Sequence, residues 1–386
     1  MIFPKAKTTI FTQDGRTLTN MKLHHPACFK VMKILPDSNP QHATSAMPNL
    51  IDHIRLRPAM YIGSLQFQGI MQMIEYLFED ILEVCRNCPV FDFQLQKQNG
   101  FTLGISNANC EELIGRLNEL AENKGGSVGL GLATTVALAG KVAFSVPQGQ
   151  GVYMLNGDHG ILTARFSTDI SQKHGLLIQY EPDQTIFREY QVIYEYINDF
   201  LRQFALLNPG LKIISTDCPG KELQRAIFYY PAGVKAQFDH FISQQTYRFP
   251  SFRLDIEAEI EGFSYRIGLS YIDMWGVRSY IRTYANNTAT RFGGSLEEGI
   301  VSGLSSAVKT LGVDLVITQR ALKDQLVIIA AVRGKELNFA GATKEKLDMP
   351  KIKKDVRRLV HDRLTGFFVA NKKSASYLID KFTKYN

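Results

Sequence analysis

The chain has 386 residues, of which 45% are hydrophobic and 21% are charged, and this composition is typical of a globular protein with two or three cores and excludes a disordered chain. It contains no apolar run of about eighteen residues and no apolar leader at its N-terminus, so we expect no membrane span and a cytoplasmic location. The formal net charge of +7 favours a polyanionic partner such as nucleic acid, because lysine and arginine displace counterions from phosphates.

The first half of the chain predicts two helices followed by a sheet with further helices. Residues 1–48 are polar and weakly patterned, and we interpret them as an arm that precedes the first domain. The predicted helices cover residues 49–57, 69–84, 111–122, 130–139 and 189–207, and the predicted strands cover residues 90–96, 101–106, 141–146, 151–155 and 174–183. Asn99-Gly100, between the first two strands, is the strongest short hairpin pattern.

The pattern restarts after Pro231-Ala232-Gly233. A helix over 234–243 is followed by strands over 251–260, 263–272 and 278–286, a helix over 295–311, a strand over 325–332 and a lysine-rich pair of helices. Two α+β domains account for this order, and we assign residues 49–230 to the first and 231–386 to the second.

The five cysteines do not predict a disulfide framework in a chain of this length. Cys85 and Cys88 form a C-x-x-C pair, but a tetrahedral zinc site takes four ligands and no second pair follows at finger spacing. We therefore expect reduced thiols.

Gly129-Leu130-Gly131 comes directly before a helix of small and apolar residues. Free backbone N–H groups and the helix dipole favour phosphate at a helix N-terminus, so both glycines are candidate nucleotide-binding residues. A tight turn without a ligand is the alternative for so short a pattern.

The segment Arg57-Pro58-Ala59-Met60-Tyr61-Ile62-Gly63-Ser64 resembles the first motif of the ATPase domain of the gyrase B family, which includes DNA gyrase and its topoisomerase IV relative. Further segments resemble the same family in the same order, at residues 129–133, 180–187, 201–208, 286–299 and 341–347. The resemblance implies an α+β fold, in which a GHKL (Bergerat) ATPase-type sandwich is followed by a ribosomal-protein-S5-like transducer domain. The chain ends where that transducer ends, so we expect the family's cleavage (TOPRIM) module to be absent.

In the family that this chain resembles, the helix after the first motif carries a catalytic glutamate and, four residues later, a magnesium-binding asparagine. Aligning residues 69–74 places Tyr76 at the glutamate position and Asp80 at the asparagine position. A phenol with a pKa of ~10 is a poor general base at neutral pH, so ATP hydrolysis is expected to be weak or lost. Asp80 is a candidate magnesium ligand. Glu75 and Glu79 are alternative catalytic residues, although Glu75 is rotated by about 100° and Glu79 lies about 4.5 Å further along the helix.

The resemblance also implies ATP and magnesium as cofactors, but the adenine-contacting positions differ. Ile105 stands nearest the family's adenine-binding aspartate, and Leu176 stands near its threonine. Asn107 is a candidate substitute, because its amide oxygen can accept a hydrogen bond from the adenine amine. Lys344 occupies the position of the transducer lysine that reaches the γ-phosphate in the family.

A basic run near the C-terminus is a candidate DNA-binding surface, with a solvated helix face as its alternative: Lys351, Lys353, Lys354, Arg357 and Arg358. The family resemblance implies a homodimer that closes as a nucleotide-dependent clamp on DNA or on a topoisomerase. Two other hypotheses stay open. One is an active ATPase that uses Glu79 or Glu75, and the other is a nucleotide-free interaction protein that pairs with or inhibits gyrase.

Overall fold

The computed structural model describes residues 7–11, 17–18, 49–84, 90–106, 111–122, 128–168, 175–188, 191–218, 224–244, 252–272, 279–312, 317–341 and 344–383. The chain divides into two compact units. Unit 1 comprises Met1–Thr12, Arg16–Ala205 and Gly210–Tyr229, and unit 2 comprises Gln13–Gly15, Leu206–Pro209 and Tyr230–Asn386. Cys85 and Cys88 lie outside the described residues, and Cys218, which is described, is a free cysteine.

Within the described residues, ten strands form the sheet of unit 1. They are β1 (Lys7–Phe11), β2 (Thr17–Leu18), β3 (Val90–Leu95), β4 (Phe101–Ser106), β5 (Ala139–Gln148), β6 (Gly151–Asp158), β7 (Ile161–Ser167), β8 (Leu176–Pro182), β9 (Lys212–Asp217) and β10 (Gln224–Tyr229). Their order across the sheet is β2-β1-β10-β9-β3-β4-β8-β5-β6-β7. β1 runs parallel to β10 and β3 runs parallel to β9, whereas the other neighbours are antiparallel.

Two features of this sheet differ from the sequence prediction. Lys7–Phe11, which we interpreted as part of an arm, pairs in register with β10 and belongs to the sheet. A five-residue edge strand has too few residues to show a period, and its partner is more than two hundred positions away, so local pattern does not reveal the pairing. β7, β9 and β10 are also missing from the prediction. The side chains of β7 are largely exposed, which removes the apolar alternation of a half-buried strand.

The hairpin between β3 and β4 forms as predicted, but its turn lies one residue earlier. Gln98 and Asn99 adopt left-handed φ values of 58° and 62°. Gly100 is extended instead, and a Cβ there would lie 2.7 Å from the carbonyl oxygen of Tyr180. Asn99 tolerates the left-handed region, and its Oδ1 accepts a hydrogen bond from the backbone N of Val192 at 3.1 Å. The asparagine therefore makes the turn, and the glycine makes room for the neighbouring strand.

The helices of unit 1 pack on the face of the sheet that carries the phenylalanines of β3. They are α1 (Leu50–Leu56), α2 (Pro58–Ile62), α3 (Phe67–Val84), α4 (Glu111–Ala121), α5 (Leu130–Ala137) and α6 (Tyr194–Leu207). Phe78 of α3 contacts Phe91, Phe93 and Phe204, with ring centroids between 5.4 and 6.2 Å apart. These aromatic contacts fix α3 against the sheet and against α6.

Unit 2 is a second α+β layer. Its described helices are α7 (Val234–Ser243), α8 (Ser295–Lys309), α9 (Gln319–Lys323), α10 (Pro350–Ala370) and α11 (Lys372–Thr383), and its described strands are β11 (Phe252–Ile260), β12 (Phe263–Tyr271), β13 (Ser279–Ala285), β14 (Thr288–Ala289) and β15 (Leu326–Arg333). The strand order is β11-β12-β15-β13-β14, with β13 parallel to β15. Gly299 and Gly303 bring α8 close to α10, because a Cβ at these positions would lie 2.9 Å and 2.6 Å from carbonyl oxygens of α10. In the part of the chain that the structure describes, no helix has both the length and the apolar character of a bilayer span.

A buried ion pair ties α1 to the end of β8. Arg55 Nη2 lies 2.6 Å from Asp183 Oδ2, and Arg55 Nη1 donates to the carbonyl oxygen of Ala137 at 2.6 Å. The Asp183 side chain is fully buried, and its Oδ1 accepts hydrogen bonds from the backbone N and the hydroxyl of Thr185. Burial acts to raise the pKa of Asp183, but the bonds from Thr185 and Arg55 outweigh it, so the pKa lies below its ordinary value. The ion pair therefore stabilises the folded state.

We expect Asp183→Asn to lower the free energy of unfolding at neutral pH by about 3 kcal/mol, because it leaves a partly buried guanidinium without its counter-charge. Urea unfolding measures this loss. The folded-state pKa of Asp183 is depressed, so its stabilisation is complete above the ordinary value of 3.8 and disappears as the pH falls through the lower folded value. The gap between variant and parent should therefore narrow in acid.

Asp199→Asn is the matched control, because Asp199 forms an exposed pair with Arg202 at 2.9 Å on α6. Its removal should change the free energy of unfolding by less than about 0.5 kcal/mol. Equal losses in the two variants, or a gap for Asp183→Asn that widens in acid, would contradict the assigned role of the buried pair.

Candidate functional site

The candidate site lies where the N-terminus of α5 meets α3. Gly129 has a φ of 87°, and a Cβ there would lie 2.6 Å from Cγ of Asp80. A Cβ on Gly131 would overlap the backbone carbonyl of Tyr76. Only glycine fits at these two positions without displacing α3. The structure thus brings together four residues that the sequence singled out, two on each side of the contact.

Asp80 makes the most informative contact of this site. Its Oδ2 accepts a hydrogen bond from the backbone N of Leu132 at 2.8 Å. Burial raises the pKa of Asp80 to about 6, against the opposing effect of hydrogen bonds from Leu132 and Gly131 and of the charge of Arg116. The carboxylate therefore occupies backbone N–H groups at the start of α5, which are the groups that a phosphate would use.

Tyr76 is half-buried on the same side of α3. Burial, together with the negative charges of Glu75 and Glu79, raises the pKa of its phenol above the ordinary value of 10.0. The phenol is therefore protonated at neutral pH and cannot accept a proton from water. Glu75 Oε2 accepts a hydrogen bond from Gln72 Nε2 at 3.5 Å, and Glu79 is half-buried one turn beyond Glu75.

The two positions aligned with adenine-contacting residues are neighbours in the sheet. Ile105 of β4 and Leu176 of β8 are direct register partners. Their side chains are 1% and 0% exposed, and neither can donate or accept a hydrogen bond. Asn107, the predicted substitute, lies outside the described residues.

Lys344 lies in unit 2, in the loop that leads to α10. It is half-buried and has a left-handed φ of 54°. The loop is held by backbone hydrogen bonds from Leu347 to Gly293 at 3.2 Å and from Phe292 to Glu345 at 2.9 Å. Two segments that the sequence marked separately, 286–299 and 341–347, are therefore in contact.

The basic run lies on exposed positions of α10: Lys351, Lys353, Lys354, Arg357 and Arg358. Lys351 pairs with Glu261 at 2.5 Å, and Lys353 pairs with Glu298 at 2.7 Å. Lys354 and Arg358 form no salt bridge with any described residue. The run therefore consists of partly neutralised cations and of two that face solvent with their charge intact.

Arg116 of α4 was missed by sequence reasoning. It pairs with Glu112 at 2.9 Å and with Glu83 at 3.5 Å, and its charge lowers the pKa of Asp80. No local pattern identifies it, because an i,i+4 pair of glutamate and arginine is typical of any solvated helix face.

Asp80 is the predicted magnesium ligand, and the chemistry of its surroundings sets how it can serve. Among the described residues, no three histidine, cysteine or acidic side chains are grouped so as to hold a metal ion. Magnesium at nucleotide sites commonly takes one or two carboxylates and completes its shell with phosphates and water. Asp80 therefore fits magnesium as one ligand beside a bound nucleotide.

We expect Gly131→Ala to lower the free energy of unfolding by about 1–3 kcal/mol, because the added methyl group forces α5 away from α3. Gly115→Ala is the control, since Gly115 lies exposed in α4 with open space around its Cα. That change should raise stability by about 0.5–1 kcal/mol. Chemical denaturation of both variants measures the two effects, and a stabilised Gly131→Ala variant would contradict the close contact.

The sequence model of the DNA gyrase B family matches residues 236–386. The gyrase B protein of Borrelia hermsii is 24% identical over 363 residues, which are 86% of this chain and 57% of that protein. The corresponding protein of DNA topoisomerase 4 from Streptococcus pneumoniae is 26% identical over 374 residues, which are 86% of this chain and 56% of that protein. The chain thus spans somewhat more than half the length of these relatives.

Solved structures show the same architecture. The crystal structure of the B-subunit of the DNA gyrase from Myxococcus xanthus aligns with a TM-score of 0.73 at 19% identity, over 86% of this chain and 99% of that one. The 43K ATPase domain of Thermus thermophilus gyrase B, solved with an aminocoumarin, aligns with a TM-score of 0.70 at 20% identity, over 88% and 95%. These likenesses confirm the predicted α+β fold, a GHKL ATPase-type sandwich followed by a transducer-type domain.

Proposed function

This chain belongs to the gyrase B family of DNA gyrase and topoisomerase IV, and on that premise we propose that it is an ATPase-plus-transducer module whose ATP hydrolysis is weak or lost. The module acts in the cytoplasm as a nucleotide-dependent homodimeric clamp on DNA or on a topoisomerase. The contact between α3 and α5 carries the proposal, because it combines a protonated phenol with a carboxylate in the place of a phosphate.

The first support is the lack of a suitable base at Tyr76. Water attacks a phosphate effectively when a nearby group removes its proton, and a positioned general base contributes about 10²–10⁴-fold to the rate. The raised pKa of Tyr76 keeps its phenol protonated. Glu75 and Glu79 are both close enough to affect that pKa, but neither occupies position 76 itself.

The second support is the charge of Asp80. A carboxylate that accepts the N–H of Leu132 competes with a phosphate for the same donor and repels it. Magnesium, when bound with a nucleotide, supplies positive charge between two such anions. In that state Asp80 would hold the ion, the backbone at Gly129 and Gly131 would bind phosphate, and Lys344 would contribute a further positive charge. ATP binding is therefore expected to depend strongly on magnesium.

We expect the parent chain to hydrolyse ATP about 10²–10⁴-fold more slowly than an ordinary gyrase B ATPase fragment, as measured by phosphate release. Tyr76→Glu should increase turnover, because it restores a carboxylate at that position. Tyr76→Gln is the matched control, since it has the same length without the charge and should leave turnover at the parent's level.

The rival hypotheses predict other results in the same assays. An active ATPase would turn over at the rate of the ordinary fragment and lose that activity in Glu79→Gln or Glu75→Gln. A nucleotide-free interaction protein would show no change in thermal stability with ATP and magnesium, whereas a ligand at one hundred times its Kd adds about 2.7 kcal/mol. Either outcome would replace the proposal.

DNA binding is tested on α10. We expect Lys354→Gln with Arg358→Gln to weaken binding of the full chain to a duplex of random sequence. The slope of log K against log salt should fall by about 1.8, because each phosphate contact contributes about 0.9. Fluorescence anisotropy over a salt series measures both quantities.

Lys351→Gln with Lys353→Gln is the matched control for this experiment. It removes the same charge from the same helix, but Glu261 and Glu298 already neutralise these two lysines. The control should therefore weaken binding less than the test variant. Equal effects of the two double variants, or no effect of either, would place DNA elsewhere or exclude it.

A further inference from the structure

Unit 1 contains a second concave site, formed by the sheet and not by α3 or α5. It is an open cleft of about 260 Å³, lined by residues of β4, β5 and β8, by the turn that follows β3 and by Cys218. Pockets for drug-sized ligands have volumes of about 300–1,000 Å³. The cleft therefore suits a ligand much smaller than a nucleoside triphosphate.

Gln179 provides an unused polar group in this cleft. The residue is only 9% exposed, and its Nε2 is buried without a hydrogen-bond partner. It lies on β8 between Thr102 of β4 and Ala143 of β5, its register partners. A buried donor of this kind is costly to leave unsatisfied, and native proteins rarely do so without a ligand, water or functional reason. The amide of Gln179 therefore indicates a missing acceptor.

The charges around the cleft indicate the sign of that acceptor. Lys97 and Lys141 both line it, and neither forms a salt bridge with any described residue. Glu181 is the acidic residue among those that line the cleft, and it is exposed. Two ammonium groups and one carboxylate leave a net positive charge. Together with the buried amide donor, this arrangement suits a ligand that is negatively charged and rich in acceptors.

We propose that this cleft binds a small oxyanion, with Lys141 and Gln179 as its main donors and Lys97 as a further cation. Carboxylates and phosphates share the chemistry that these groups recognise. The site is separate from the α3–α5 contact, since none of its residues lies on those two helices. It does not depend on whether the chain binds or hydrolyses ATP.

The test is isothermal titration of the full chain with inorganic phosphate and, separately, with acetate, at constant ionic strength. We expect one site in the parent. Lys141→Gln should weaken binding about tenfold, the effect of losing one charged hydrogen bond. Gln179→Leu should also weaken binding but should not lower the melting temperature, because it removes an unsatisfied donor and no existing hydrogen bond.

Lys212→Gln is the matched control. Lys212 begins β9, whereas Cys218 of the cleft follows the last residue of that strand, so the control removes the same charge at the far end of the sheet. Its binding should equal that of the parent. Binding of phosphate alone would identify a phosphate-bearing ligand, and binding of acetate as well would identify a carboxylate, and both results support the proposal.

Two outcomes would overturn the proposal. One is no heat of binding with either probe at millimolar concentration. The other is binding that persists unchanged when Lys141→Gln and Gln179→Leu are combined, because the anion would then occupy another place, such as the N-terminus of α5. Circular dichroism of each variant confirms that a loss of binding is not a loss of fold.

Discussion

Helix α5 is held between two opposite charges, and the candidate site depends on this arrangement. At its N-terminus the carboxylate of Asp80 accepts the N–H of Leu132, and at its C-terminus the guanidinium of Arg55 donates to the carbonyl of Ala137. Both charges have the sign that the helix dipole favours. Asp183 neutralises the guanidinium from the other side, so the C-terminal contact adds no unpaired charge to the interior. A short helix is thereby fixed in both position and direction.

The same arrangement creates a conflict between stability and anion binding. The start of α5 has few free N–H groups, and Asp80 already uses at least one of them. A phosphate needs the same donors. Burial raises the pKa of Asp80 to about 6, so at neutral pH most molecules carry a negative charge in this place. Stability of α5 and affinity for a bare phosphate therefore oppose each other, and a cation is the simplest way to combine them.

The sequence predicted most of the fold where the information is local. The helix over Val234–Ser243 and the strands and helices after it agree with prediction to within about two residues, because each has a clear period and ends at a turn. Lys7–Phe11 and β10 were not found, because their pairing joins the two ends of unit 1. The Arg55–Asp183 pair was missed for the same reason, since it links residues 128 positions apart.

The site shows the same division between local and non-local information. Gly129 and Gly131 stood out as a short motif, and the spacing of Tyr76 and Asp80 by four residues predicted that both would lie on one side of α3. The contact of these residues with the start of α5 follows from that geometry. The cleft around Gln179 and Lys141 was not predicted, because its residues come from separate strands and none belongs to a motif. Arg116 was not predicted either, since its near partner Glu112 hides its effect on Asp80.

The motifs of unit 2 are explained by packing before any role in nucleotide binding is invoked. A Cβ on Gly294 would overlap the carbonyl oxygen of Leu347, so the two glycines of 293–294 and the loop before α10 require each other. Lys344 sits in that loop because the loop is needed for the fold. Its presence therefore carries less information about hydrolysis than position 76 does, where packing against Gly131 involves only the backbone carbonyl and leaves the side chain open to change. A tyrosine at that position is a change that the fold tolerates and that the chemistry of hydrolysis does not.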